Sequence, residues 1–92
     1  MRRSKLEKYI SILEALVHQP LEPENISFNT NIECRALRNY IRYLISQNLV
    51  EENQTKSRTS YAITDKGITV FKTLQAQKYF KKLKQILPVL ED

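Results

Sequence analysis

The segment that most constrains the fold is residues 61–67, Tyr-Ala-Ile-Thr-Asp-Lys-Gly, where a short β-prone stretch runs directly into a helix. Its first and third residues favour a strand, and Thr64 is a good helix N-cap. Apolar residues then recur at helical spacing from Asp65 to about Leu87, where Pro88 stops the helix. The chain must therefore pack a strand and a long helix against each other with almost no linker.

A second strand and a polar loop are predicted just before this segment. We expect strands at about 49–53 and 60–63, joined as a hairpin, with Lys56 and Arg58 at its tip. Gly67 is the only glycine, which argues against a glycine-rich phosphate-binding loop.

Three shorter helices are predicted upstream of the hairpin, at about Ser4 to His18, Glu24 to Asn29 and Glu33 to Asn48. The first begins with a capping box in which Ser4 is the cap, and the second follows Pro23 as its first-turn residue. Ile26 and Phe28 are expected to face inward from the second helix. Apolar residues recur at helical spacing along the other two, with Leu6, Tyr9, Ile10, Leu13, Leu16 and Val17 in the first and Leu37, Ile41, Leu44 and Ile45 in the third. Between the first two helices, Leu21 is a candidate for a short strand.

Length and composition indicate one small folded domain with a basic surface. The chain has 92 residues, 41% of them hydrophobic, and a formal net charge of +5, a balance that suits a polyanionic partner. We divide it into a core at 1–67 and a C-terminal helix at 68–92, which packs on the core and then continues beyond it. No apolar run reaches the roughly 20 residues that span a bilayer, and a cytoplasmic location is expected.

Few residues are available for enzymatic or metal chemistry. His18 is the single histidine and Cys34 the single cysteine, so no metal-ligand cluster and no nucleophile–base set can be assembled. Neither a metal nor a cofactor is predicted, and the chain is not expected to be an enzyme. We expect Cys34 to be a buried or half-buried structural thiol, the alternatives being an intermolecular disulfide or a redox sensor.

The third predicted helix carries polar side chains suited to reading DNA. If Leu37, Ile41 and Leu44 face the core, the opposite face carries four such residues: Arg35, Arg38, Asn39 and Arg42. Arginine pairs bidentately with guanine and asparagine with adenine in the major groove. The alternative is a solvated face on which the arginines pair with Glu33 or Ser46.

Further DNA contacts are predicted around this helix. Hydroxyl and amide groups in and after the second helix can donate to phosphates, the hairpin tip can enter a minor groove, and the N-terminus can act as a basic arm. The residues are Ser27, Thr30, Asn31, Lys56, Arg58, Arg2 and Arg3. A plain solvated loop and a frayed charged terminus are the alternatives.

The last helix is too long for the core to cover. At ~1.5 Å per residue it extends roughly 35 Å, and its apolar residues continue beyond the part that packs on the core. The predicted dimer interface consists of Leu74, Tyr79, Phe80, Leu83, Ile86, Leu87 and Leu90. A second copy would cover this stripe as a coiled coil, and the alternative is a helix that bends back onto the first one.

Taken together, these motifs resemble small archaeal winged-helix proteins of the 10a chromatin-protein type. The matching blocks are the opening Arg2 to Glu7, the run Asn48 to Glu51, and residues 61–67, with Leu37, Tyr40 and Leu44 between them. The resemblance implies a winged helix-turn-helix, mostly α with a small β-hairpin, plus a long C-terminal dimerisation helix. It also implies a nucleoid-associated homodimer, joined by an antiparallel coiled coil, that binds double-stranded DNA through the third helix and the wing.

The functional prediction is a sequence-reading DNA-binding protein, a transcription regulator acting as a homodimer. Three arginines and an asparagine on one helix face favour base reading over purely electrostatic binding. The alternatives are a non-specific archaeal chromatin protein and a winged-helix module that binds another protein instead of DNA. No small-molecule effector can be inferred.

Overall fold

A computed structural model describes residues 3–86 of the chain, with side chains over 3–79. Three helices precede an antiparallel hairpin, and a long helix follows it. The elements are α1 (Lys5–Leu16), α2 (Pro23–Thr30), α3 (Cys34–Ser46), β1 (Val50–Thr55), β2 (Arg58–Ile63) and α4 (Asp65–Ile86). The architecture is thus mostly α with a two-stranded hairpin, as predicted.

Helix α1 begins at the predicted cap. The Ser4 side chain accepts a hydrogen bond from the Glu7 backbone N–H at 3.1 Å, satisfying one of the free donors of the first turn. The helix ends at Leu16, so His18 lies outside it.

Helix α2 is one residue longer at each end than predicted. Pro23 occupies its first turn, and Asn31 ends it in the left-handed conformation with φ 58°. Ile26 is buried as expected, but the prediction that Phe28 faces inward is wrong, since its side chain is 87% exposed. An eight-residue helix buries only a narrow stripe, here Ile26 and Thr30, and Phe28 falls outside it.

Helix α3 ends in a Schellman motif. Asn48 adopts φ 61°, its N–H donates to the Ile45 carbonyl, and the Leu49 N–H donates to the Leu44 carbonyl, both at 2.9 Å. Leu44 and Leu49 are both buried, which adds the apolar contact that accompanies this motif. The asparagine therefore turns the chain directly from α3 into β1.

The hairpin is longer than predicted and its loop is shorter. The register runs from Val50 opposite Ile63 to Thr55 opposite Arg58, so only residues 56–57 form the turn. Polar residues pair through their backbones here, which a pattern of side-chain hydrophobicity does not indicate. In place of the predicted short strand, Leu21 forms an isolated β-bridge with Tyr61 through two backbone hydrogen bonds of 3.0 and 2.8 Å.

Helix α4 begins tightly against the start of β1. The Gly67 N–H donates to Thr64 Oγ1 at 3.0 Å, which confirms Thr64 as the cap. A Cβ on Gly67 would overlap the Leu49 carbonyl oxygen and lie 2.7 Å from the Ile63 side chain. Glycine is therefore required for this close approach of helix and strand.

One core joins all six elements. Its buried members are Ile12, Leu13, Leu16, Leu21, Ile26, Ile32, Leu37, Ile41, Leu44, Leu49, Val50 and Phe71. From α4, Phe71 is buried while Ile68 and Leu74 are half-buried. Within residues 3–86, no helix is both long and apolar enough to cross a membrane.

Farther along α4, the predicted dimer stripe is only partly visible. Tyr79 is 65% exposed. The structure does not describe the side chains of Phe80, Leu83 and Ile86, and Leu87 and Leu90 lie outside the described residues.

Candidate nucleic-acid interface

Helix α3 has one face fixed in the core. Leu37, Ile41 and Leu44 are each 4% exposed or less, and these three positions, spaced by four and three residues, form a stripe along the helix. The stripe fixes the rotation of α3 about its axis. The opposite face is therefore also fixed.

Aromatic contacts hold α3 against α1. The Tyr9 ring lies 5.1 Å from that of Tyr40, edge to face, and 5.2 Å from that of Tyr43. Lys8 Nζ sits 5.7 Å from the centre of the Tyr40 ring. These contacts orient α3 on α1.

The outer face of α3 carries the four predicted DNA-reading residues, Arg35, Arg38, Asn39 and Arg42, and all four are exposed. The alternative pairing with Glu33 or Ser46 does not occur. Ser46 donates to the Tyr43 carbonyl at 2.6 Å, and the single ion pair among the described side chains, residues 3–79, lies elsewhere. The structure thus brings these four residues together and leaves their donors available to a ligand.

The hairpin lies beside this face of α3. Lys56 is exposed in the two-residue turn, as expected. Arg58 is at the first position of β2, 77% exposed, and its guanidinium lies 3.6 Å from the Glu22 carboxylate. Arg58 thus has an internal partner, although an exposed ion pair of this kind is weak.

A groove of about 420 Å³ separates α3 from the hairpin. It is lined by Leu37, Arg38 and Ile41 on α3, Glu52, Thr59 and Tyr61 on the hairpin, and Pro23, Glu24 and Cys34 at the starts of α2 and α3.

Cys34 is exposed here, so the prediction of a buried or half-buried thiol is wrong. It occupies the first turn of α3, ahead of the buried stripe that begins at Leu37.

Within this groove, Glu52 and Tyr61 form a pair that sequence reasoning missed. They face each other across the strands, and the Tyr61 hydroxyl donates to Glu52 Oε1 at 3.1 Å. Burial raises the pKa of Tyr61, the hydrogen bond and charge of Glu52 raise it further, and the nearby Arg38 and Arg42 lower it. The only signal in the sequence was alternation, which places Glu52 on the same strand face as the buried Val50.

Two predicted phosphate contacts are used inside the protein instead. Thr30 is 4% exposed and its hydroxyl donates to the Ile26 carbonyl at 2.7 Å. Ser27 donates to the Ile32 carbonyl at 2.6 Å and is half-buried. Each short hydroxyl satisfies a nearby carbonyl around the turn, so both hydroxyl donors are already used within the protein.

The remaining predicted contacts lie at the turn and the N-terminus. Asn31 is exposed and forms the left-handed cap of α2, and its carbonyl accepts a hydrogen bond from Arg3 at 3.3 Å. Arg3 therefore braces the turn before α3, while Arg2 lies outside the described residues. Among the described residues, no group of three or more His, Cys, Asp or Glu side chains is arranged to hold a metal ion.

Known structures share this fold at low sequence identity. A PadR family transcription regulator from Clostridium difficile is 17% identical, with a TM-score of 0.71 over 85% of this chain and 94% of its own. Sso10a-2, a DNA-binding protein from Sulfolobus solfataricus, is 17% identical, with a TM-score of 0.72 over 98% of both chains.

A third similar structure is the homodimeric winged helix-turn-helix DNA-binding domain of Mb0332 from Mycobacterium bovis. It is 21% identical, with a TM-score of 0.70 over 86% of this chain and 73% of its own. No curated protein matches the chain by sequence. The winged helix-turn-helix family model matches residues 2–86, nearly the whole chain. With the helical core, the turn between α2 and α3 and the adjoining hairpin, this match shows that the chain belongs to the winged helix-turn-helix family.

Proposed function

We propose that this protein is a transcription regulator that binds duplex DNA as a homodimer, with α3 as the recognition helix. The observation that carries the proposal is the set of exposed arginines and asparagine on α3, outside the buried stripe that packs in the core. A rigidly held helix with free bidentate donors is the arrangement by which helix-turn-helix proteins read the major groove. The PadR regulator and Sso10a-2, which share the fold, are described as a transcription regulator and a DNA-binding protein.

Base reading is assigned to α3. Arg35, Arg38 and Arg42 offer bidentate pairs of donors to guanine, and Asn39 matches the donor and acceptor edge of adenine. The N-terminal half of the helix would enter the groove most deeply, so Arg35 and Arg38 would lie nearest the bases.

The hairpin is assigned to backbone contact. Lys56 at the turn would meet phosphates or a minor groove, and Arg58 would exchange its exposed ion pair with Glu22 for a phosphate at little cost. Arg3 and Asn31, at the turn before α3, would contact the backbone beside the recognition helix, with Arg2 extending this arm.

Dimerisation is assigned to the C-terminal part of α4. The helix has 22 residues, about 33 Å at 1.5 Å per residue, and Tyr79 on it is 65% exposed. The apolar pattern of the sequence continues to Leu90, which supports a core at 1–67 and a dimerisation segment within 68–92. The Mb0332 domain, which shares the fold, is homodimeric.

DNA selection followed by affinity measurement tests the function. Duplexes enriched from a random library and scrambled controls would be compared by fluorescence anisotropy, each at about 0.05 M and about 0.2 M salt. A preference of roughly a thousandfold or more for the enriched duplex supports a regulator. Equal and steeply salt-dependent binding to both would instead indicate a chromatin-type protein, and absence of binding would indicate a protein-interaction module.

A separate experiment tests the dimer. Leu83→Asp combined with Ile86→Asp would place two carboxylates in the proposed interface, and sedimentation equilibrium should then give the 10.9 kDa mass of one chain. The matched control is Lys82→Gln with Gln85→Asp, which lowers the net charge by the same two units at the same spacing, shifted by one position. A dimeric double variant at 83 and 86 would rule out this interface.

A further inference from the structure

Glu52 has an unusual place for an acidic residue in a DNA-binding protein. It lies on the hairpin face that carries the buried Val50, and it lines the groove whose opposite wall includes Arg38. Glutamate is also disfavoured in strands. Glu24 lines the same groove, but its place in the first turn of α2 has a structural reason, since acids stabilise helix N-termini.

Two hydrogen bonds fix the Glu52 carboxylate. The Tyr61 hydroxyl donates to Oε1 at 3.1 Å, and Gln54 Nε2 donates to Oε2 at 3.2 Å. Both donors are neutral, so neither of them forms an ion pair with the carboxylate. Arg38 and Arg42 are close enough to Tyr61 to act on its ionisation, yet no ion pair forms between either of them and Glu52.

We propose that Glu52 is a specificity-determining residue, a fixed anion that weakens the attraction between the α3 arginines and DNA phosphates and so limits binding to unrelated duplexes. This inference rests on the proposed function. Sequence-independent affinity comes mainly from cation–phosphate attraction, whereas discrimination comes from base contacts. An anion beside the arginines weakens their attraction to phosphates. It leaves unchanged the geometry of the donors that contact bases.

The chain supplies a matched control in the adjacent residue. Glu51 is exposed on the same strand, but it faces the opposite side of the hairpin, opposite Ala62. Glu52→Gln and Glu51→Gln change the net charge equally, and glutamine at 52 still accepts the Tyr61 hydrogen bond. Any difference between these variants therefore reports the location of the charge.

Anisotropy with a mixed-sequence duplex is the test. Glu52→Gln should tighten binding about fivefold at about 0.05 M salt, and Glu51→Gln by less than about twofold. The advantage of Glu52→Gln should shrink at about 0.2 M salt, because screening weakens a charge effect and would not change a purely structural one. Glu52→Thr, which suits a strand, should reproduce the tightening and guards against an effect peculiar to glutamine.

The outcomes separate this inference from the proposed function. Equal affinities for the two glutamine variants, or weaker binding by Glu52→Gln, would overturn the role of Glu52 while the wild-type protein still binds DNA. A wild-type protein that binds no duplex would overturn both proposals together.

Discussion

The outer face of α3 and the junction where α3, β1 and α4 meet use polar groups in opposite ways. At the junction, the Asn48 carbonyl accepts from Thr64 at 2.7 Å and the Gln47 carbonyl accepts from Lys66 at 3.0 Å. On the outer face, Arg35 and Arg42 have no such partner among the described side chains. The junction therefore contributes to stability, and the outer face keeps its donors for a ligand.

The largest expected effect on stability comes from adding a side chain at Gly67, where the backbone approaches the Leu49 carbonyl closely. Gly67→Ala would force a methyl group into the Leu49 carbonyl, and we expect it to lower the free energy of unfolding by about 3 kcal/mol because backbone must move. Urea denaturation followed by circular dichroism measures this.

The sign of the Gly67→Ala effect is decisive. In an unobstructed helix the same change stabilises by about 1 kcal/mol, so a more stable variant would contradict the close approach. Thr73→Ala, at an exposed position of the same helix, is the control and should change stability by less than about 0.5 kcal/mol.

The outer face should respond in the opposite way. Arg38→Ala with Arg42→Ala is expected to weaken DNA binding about a hundredfold, since each lost arginine contact costs about 1–3 kcal/mol. The melting temperature should stay nearly constant, because neither side chain packs in the core. Anisotropy and thermal melts on the same samples measure both quantities.

A charge-matched pair is the control for the double arginine variant. Lys5→Ala with Lys72→Ala removes two exposed positive charges from α1 and α4. An equal loss of affinity in this control would mean that net charge, and not the face of α3, determines binding.

The sequence predicted the start of α4 at the junction more accurately than it predicted the hairpin and α2, which lie around the outer face of α3. Thr64 followed by Asp65 specifies a helix start locally, so the sequence predicted the first residue of α4 correctly. The hairpin was underestimated because its outer half pairs through the backbone between polar residues 54–59.

The sequence did not indicate that two hydroxyl groups donate hydrogen bonds within the protein. Ser27 and Thr30 look like phosphate ligands in the sequence, yet they turn toward carbonyls in their own helix and turn. The relation between Glu52 and Arg38 depends on how the hairpin packs beside α3, and no local pattern contains that information.

A smaller loss of stability is expected from the cap. Thr64→Ala removes a donor to the Asn48 carbonyl and an acceptor for the Gly67 N–H, so about 1.5 kcal/mol should be lost. Thr64→Ser keeps both hydrogen bonds and should recover most of this in the same urea titration. A Thr64→Ala protein as stable as the wild type would show that the junction does not depend on this side chain.

The smallest expected effect on stability tests whether the DNA-facing surface extends from α3 onto α2. Ser27→Ala should cost about 1 kcal/mol of stability, because the Ile32 carbonyl loses its donor at 2.6 Å. DNA affinity should change by less than about twofold, since the hydroxyl is already committed inside the protein. Asn39→Ala, on the outer face of α3, should show the reverse: unchanged melting and weaker binding to an enriched duplex. If Ser27→Ala instead weakens DNA binding at constant stability, the DNA-facing surface extends onto α2, and the hydroxyl must exchange its carbonyl for a phosphate when DNA binds.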